Sequence, residues 1–174
     1  MKFFHLLCLN FLLVVTLQAG SFTKTSGDIL AVAIPLGAYA TTFYMDDNEG
    51  QYQFYKSYGT TLATTGILKL AVDEERPDGD GEDSFPSGHT SSAFSGASFI
   101  HLRYGFKYAI IPYLAAAYTG YTRVETDRHY TKDVLAGAAI GVLSSWIFVD
   151  KYENVSLEPI IDKDFKGVNF IISY

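Results

Sequence analysis

Small and apolar residues cluster in five stretches of the chain, residues 28–44, 58–72, 90–104, 107–122 and 132–149, each closed by polar or Gly/Pro punctuation. Their lengths and their Ala, Leu, Ile, Gly and Thr content predict five helices rather than strands. Asp28 and Ser87 stand where helix caps or pre-caps belong, and Asp133 falls in a first turn, where a carboxylate suits the helix dipole. Gly66, Gly96, Gly120, Gly137 and Gly141 would let helices approach closely. Short connections such as Gly105-Phe106 predict antiparallel neighbours. The expected fold is therefore all-α: an antiparallel bundle of about five core helices. The loop at 46–57 reads as polar and aromatic, and that at 73–86 as acidic and Gly-rich. After the last helix, β-prone residues 155–161 and 168–174 flank 162–167, the pattern of a short C-terminal hairpin.

Residues 1–19 differ from the rest. Lys2 precedes an apolar run at 6–17, and Gln18-Ala19-Gly20-Ser21 follows, which reads as a secretory leader cut after Ala19. The expected organisation is a leader at 1–19, one helical domain at 20–150 and a tail at 151–174, with the mature chain exported to the periplasm. The only cysteine, Cys8, lies in the leader, so no intrachain disulfide and no multi-Cys metal site is open to this chain.

Composition narrows the field further. Of 174 residues, 48% are hydrophobic and 18% charged, which excludes wholesale disorder and allows one domain with a core. The net charge of −6 argues against a nucleic-acid partner, because phosphate backbones are bound by clustered Lys and Arg. Mean hydropathy is +0.11, and the leader supplies most of it. The remainder is expected to be soluble, peripheral or otherwise membrane-associated, with its aromatic residues, Trp146 among them, in the core or an interface.

Three segments carry candidate chemistry. Lys69 and Arg76-Pro77 form the first, Pro86-Ser87-Gly88-His89 the second, and Thr122-Arg123 with His129 and Asp133 the third. The order K-x6-R-P, P-S-G-H and R-x5-H-x3-D resembles the type 2 phosphatidic acid phosphatase superfamily, which includes bacterial lipid phosphatases, class A acid phosphatases and vanadium haloperoxidases. The resemblance spans Lys69 to Asp133, about a third of the chain, and departs from the usual pattern only at Thr122, where Ser is common.

The residue types suit phosphoryl transfer. Lys69, Arg76 and Arg123 can meet several anionic oxygens with point-charge and forked donors. Ser87 adds a hydroxyl, and the amides of Gly88 and His89 open a helix, a ready anion site. Asp133 stands one helical turn from His129 and can orient its ring. His89 can protonate a leaving oxygen. The resemblance implies that His129 is a nucleophile forming a phosphohistidine that water hydrolyses, and that no metal or other cofactor is required. The expected substrates are phosphomonoesters, with lipid phosphates as a candidate class. Two rivals remain open: a vanadate-dependent haloperoxidase, whose relatives are generally longer, and a non-catalytic phosphate- or lipid-binding envelope protein, which needs no general acid.

Weaker signals read as ordinary structure. His101 beside Arg103 is a helix-surface pair, and the acidic run 78–83 lacks the spacing of an EF-hand. Asp78, Asp80, Glu82 and Asp83 nevertheless lie between two phosphate-binding segments. They are expected to border the pocket and to disfavour polyanionic substrates.

Overall fold

The computed structural model describes the backbone of residues 2–152, 154–161 and 166–173, and the side chains of residues 22–152. Within the latter the protein is all-α, five helices packed as a bundle: α1 (Lys2–Tyr44), α2 (Asn48–Ala71), α3 (Gly88–Tyr104), α4 (Phe106–Glu125) and α5 (Thr131–Phe148). The expected leader falls where side chains lie outside the described residues. So does the tail, whose backbone pairs β1 (Asn154–Ile161) antiparallel with β2 (Lys166–Ser173).

Two expectations about helix starts need correction. The stretch 46–57 is not a loop: α2 begins at Asn48, because the Asp47 carboxylate accepts the Gly50 amide at 2.8 Å and satisfies an orphan donor of the first turn. Asp28 caps nothing, since it lies inside α1. Between α3 and α4 a single residue turns the chain, Gly105, at φ +106°, a conformation that costs a side chain dearly and glycine little.

α3 is the centre of the bundle. Ala93, Ala97 and Phe99 are fully buried along it, and serines bridge to its neighbours. Ser91 Oγ accepts from Thr65 at 2.9 Å, and Ser95 Oγ from Thr61 at 3.1 Å, both on α2. Ser92 donates to the Ala31 carbonyl of α1 at 2.7 Å, and Ser145 of α5 donates to the Ser95 carbonyl at 3.1 Å. Buried hydroxyls are thus paired between helices, and small side chains keep the backbones close. At the end away from Lys69, Arg103 grips Asp47 through Nε at 2.7 Å and Nη2 at 2.5 Å, while Tyr104 donates to the same carboxylate at 2.9 Å. This buried pair ties the head of α2 to the tail of α3.

The large apolar side chains mostly face outward. Trp146 is 70% exposed, which leaves the interface rather than the core of the two expected positions, and Ile29, Leu36, Ile67, Ile111, Leu135 and Ile147 are each at least 60% exposed. The interior belongs to Ala, Gly, Ser and Thr. Among the described residues one helix, Thr131–Phe148, is long and apolar enough to cross a membrane.

The tightest contact runs between α3 and α5. A Cβ at Gly141 would stand 2.5 Å from the Ser91 carbonyl oxygen and 2.6 Å from the Ser95 nitrogen, both backbone atoms that cannot rotate away. Gly66 on α2 has nothing within 4 Å. Gly141→Ala is therefore expected to destabilise by about 1–2 kcal/mol, overpacking outweighing the gain in helix propensity. Gly66→Ala should instead gain up to ~1 kcal/mol. Denaturation midpoints of the two variants against the parent check the contrast.

Candidate active site

The ends of α2 and α4 and the heads of α3 and α5 meet around a cleft of about 570 Å³. Six of the eight residues expected to act on phosphate line it: Lys69, Arg76, Gly88, His89, Arg123 and His129. Ser87 and Asp133 are fully buried and absent from its lining.

Each residue is placed by a local device. Lys69 stands in the last turn of α2. Ser87 begins α3 and is tied to the head of α5 by its amide, which donates to the Asp133 carbonyl at 3.0 Å. Its hydroxyl does not cap the helix but accepts from Thr90 at 3.0 Å. After α4, the chain folds back so that the amides of Arg128 and His129 donate to the Arg123 carbonyl at 3.0 and 3.2 Å. That turn brings His129 beside Arg123, with Asp127 in the left-handed region at φ +52°. Thr122, the departure from the usual Ser, donates to the Thr119 carbonyl at 2.8 Å and accepts from Arg123 Nε and Nη2, both at 3.1 Å. Its hydroxyl thus acts on Arg123, and the extra methyl leaves both bonds in place.

His129 and Asp133 are close but not hydrogen-bonded. Nδ1 and Asp133 Oδ2 are 3.6 Å apart, beyond hydrogen-bond range, and the His129 Nδ1 and Asp133 Oδ1 atoms are both buried without a partner. Oδ2 is already engaged by Ser84 Oγ at 2.6 Å and by the Tyr130 amide at 2.9 Å. Two unpaired buried groups this near one another are best satisfied by each other, through a small ring rotation. Burial pushes the His129 imidazole down to about 4, with Lys69 and Arg76 adding to the shift and Asp133 opposing it. At neutral pH the ring is uncharged and its lone pair is free.

The cations are not bare. Arg76 holds Asp83 through Nη2 at 2.8 Å and Nε at 2.9 Å, and Lys69 donates to the Asp83 carbonyl at 2.5 Å. Arg123 Nη1 meets Asp28 Oδ1 at 2.6 Å, and Nη2 donates to the Lys24 carbonyl at 2.8 Å. The same Asp28 oxygen lies 3.0 Å from His89 Nε2. Arg128, a further cation of the cleft, pairs with Asp78 at 3.0 Å and with Asp80 at 2.9 Å. The acidic loop is therefore not a rim of free carboxylates facing a cationic floor. Asp78, Asp80 and Asp83 are each spent on an arginine, which corrects the expected charge filter.

Sequence reasoning missed Lys24, Ser84 and Arg128, and it gave Asp28 the wrong role. Asp28 is one helix position among many, and Ser84 lies in an acidic loop without periodicity, so neither carried a pattern. Arg128 was the exception: a basic residue next to the motif histidine was visible.

Several curated proteins match parts of the chain. Lipid A 1-phosphatase of Porphyromonas gingivalis is 46% identical over 78 residues, 43% of this chain and 18% of that protein. Lipid A 4'-phosphatase of Helicobacter pylori is 37% identical over 84 residues, 47% of this chain and 42% of that protein. The alignments thus span less than half the length of either relative. The crystal structure of Aquifex aeolicus LpxE shares the fold, with a TM-score of 0.56 and 22% identity over 75% of this chain and 84% of that one. Residues 51–156, which hold all three motif segments, match the family model of the PAP2 superfamily, and the chain belongs to that superfamily.

Proposed function

We propose that the protein is a lipid-phosphate phosphatase, exported to the periplasmic side, that hydrolyses a phosphomonoester through a phosphohistidine on His129. The observation that supports this most is the meeting of Lys69, Arg76, His89 and Arg123 with an uncharged His129 in one cleft.

Chemistry follows from the placement. The phosphoryl oxygens take the positions of the Asp83 and Asp28 carboxylates on Arg76, Lys69 and Arg123, cations held ready before substrate arrives. Nδ1 faces Asp133, which leaves Nε2 of His129 to attack phosphorus. The N–P bond forms as the P–O bond to the leaving group breaks, and His89 gives its proton to the leaving oxygen. Asp133 stabilises the charge that develops on the ring. Water then attacks the phosphohistidine and passes a proton to neutral His89. Inorganic phosphate leaves, and both histidines return to their starting states.

A lipid substrate is supported by the cleft and by the surface. Ala31, Val32 and Leu62 line the cleft beside its cations, so an acyl or sugar-lipid body can lie against apolar wall while its phosphate reaches Arg76. Named functions of the matched relatives make a phosphorylated glycolipid of the lipid A kind the first substrate to assay. The outward-facing Ile, Leu and Trp side chains around a hydroxyl-rich interior are the distribution of helices packed in a bilayer, with the cleft at its aqueous face.

Two variants separate the roles of the histidines. His129→Ala should abolish an acid-labile phosphoenzyme. His89→Ala should keep turnover of p-nitrophenyl phosphate while losing roughly 100-fold or more on an alkyl or lipid phosphate, whose leaving group needs the proton. Single-turnover labelling and a panel of soluble and detergent-dispersed lipid phosphates measure both. Equal loss on both esters removes His89 from the acid role.

The acid limb of kcat/KM should lie at about pH 4, where His129 protonates and loses its lone pair. Removing a cation that disfavours the imidazolium should raise the ring's pKa, so Arg76→Gln should move that limb to higher pH. Ring titration by NMR in the two proteins reads the same shift without turnover.

The protein should stay with membranes through high salt and carbonate and leave them only in detergent. Release by carbonate alone would put the apolar surface against something other than lipid.

A further inference from the structure

Asp28 belongs to none of the motif segments, yet it touches two of their residues. Its Oδ1 lies 3.0 Å from His89 Nε2 and 2.6 Å from Arg123 Nη1. The contact is built. One turn earlier on α1, the Lys24 carbonyl accepts from Arg123 Nη2 at 2.8 Å. Between them, a Cβ at Gly27 would stand 2.5 Å from that same nitrogen and 2.0 Å from Thr122 Oγ1. α1 is thus pressed against the end of α4 here, and glycine is what lets Asp28 arrive.

We infer that Asp28 is a positioning residue for proton transfer: its carboxylate, bridging His89 and Arg123, strengthens the hold of the His89 ring on its proton and aims the ring while the cleft is empty. The inference rests on reading His89 as the general acid. An acid must carry its proton before the leaving group arrives, and the surroundings of His89 oppose that. The charged and titratable groups lining its cleft are Lys24 on α1, Lys69 on α2, Arg76 in the acidic loop, Arg123 on α4, and Arg128 and His129 before α5. Burial first, then Arg123, Arg76 and Lys69, hold the His89 ring below the usual imidazole range, and Asp28 is the group that opposes them. Among the described residues lining the cleft it is the sole carboxylate. Asp83, the other nearby acid, is turned to Arg76 and Lys69. In the free protein the Nε2 hydrogen points to Asp28. When substrate enters, that hydrogen passes to the leaving oxygen as the P–O bond breaks, and the neutral ring later takes a proton from the attacking water. Asp28 itself neither gains nor loses one.

Asp28→Asn, which keeps the shape and removes the charge, tests this in the full chain, with a melting curve to show that the fold is intact. Turnover of an alkyl phosphate should fall about tenfold or more, and that of p-nitrophenyl phosphate less than about threefold. The alkaline limb for the alkyl ester should move to lower pH by about one unit, a tenfold change in proton affinity. Asp28→Glu should recover part of both. In a His89→Gln background, Asp28→Asn should add nothing to the difference between the two esters. Equal loss on both esters with an unmoved alkaline limb overturns the inference and leaves Asp28 as a brace for Arg123. Gains on both esters with tighter inorganic phosphate binding overturn it too and make Asp28 an anion gate. NMR titration of the His89 ring separates this inference from the reading it rests on. The ring should titrate lower in Asp28→Asn whether or not His129 forms a phosphoenzyme, and an unmoved titration sinks the inference alone.

Discussion

The close approach of α3 to its neighbours is the constraint on which the site depends. Gly141 lets the α5 backbone lie against Ser91 and Ser95, and serines on α3 bond to α1 and α2. Were these helices separated by ordinary Leu and Ile side chains, interaxial distances would grow toward the usual 8–10 Å or beyond. The head of α3 would then withdraw from the head of α5. The bond from the Ser87 amide to the Asp133 carbonyl at 3.0 Å records how directly the two heads are joined. His89, one residue into α3's first turn, and His129, just before α5, face one cleft because of it.

Electrostatics supplies the second half of the arrangement. Five basic side chains around one cleft repel each other, and a flexible set would spread into water. Here each arginine has a carboxylate: Asp28 for Arg123, Asp83 for Arg76, Asp78 and Asp80 for Arg128. Exposed pairs of this kind add little to stability. Their effect is to fix geometry, which a transferring phosphoryl group then inherits. Arg123 is nearly buried, so a vacant partner would leave a desolvated charge, and Asp28 relieves that cost. His129 is treated in the opposite way. It is buried among cations, which keeps its ring neutral and able to react, while its own carboxylate at 3.6 Å opposes that shift.

The motif residues were legible because their order and spacing resemble those of a known superfamily and their types suit phosphate chemistry. The cores of α3, α4 and α5 were legible from length and punctuation, their ends falling within three residues of expectation. Less visible was whatever depends on a partner distant in sequence. The start of α2 hides in a polar, aromatic run because Gln53, Phe54 and Ser57 are buried against other elements and show no apolar period of their own. Asp28 looked like a cap because caps are the commonest use of Asp near a helix, whereas its partners lie 61 and 95 residues away. The acidic loop looked like free charge because Arg128, which holds it at a separation of 48–50 residues, was not connected with it in sequence.

Mean hydropathy is blind to direction for a related reason. Many polar residues lie inside this bundle. Thr61, Thr65, Ser91, Ser95 and Thr119 are buried, while Trp146, Ile147 and Leu135 face outward. The average of the two populations is the same whichever way they point. Direction matters for the chemistry, because a hydroxyl core whose donors are met by neighbouring helices leaves the outer surface free to be apolar. The cations sit at one end of such a bundle, and Ala31, Val32 and Leu62 line the same cleft. On the reading proposed above, a phosphate carried on a lipid meets this geometry without leaving its bilayer: the charged group reaches Arg76 and Lys69, and the tail stays against side chains of its own kind. A soluble phosphate could use the same cations, but it would gain nothing from the wall. On that reading the apolar wall and surface favour the lipid substrate, and the histidines and cations carry the hydrolysis.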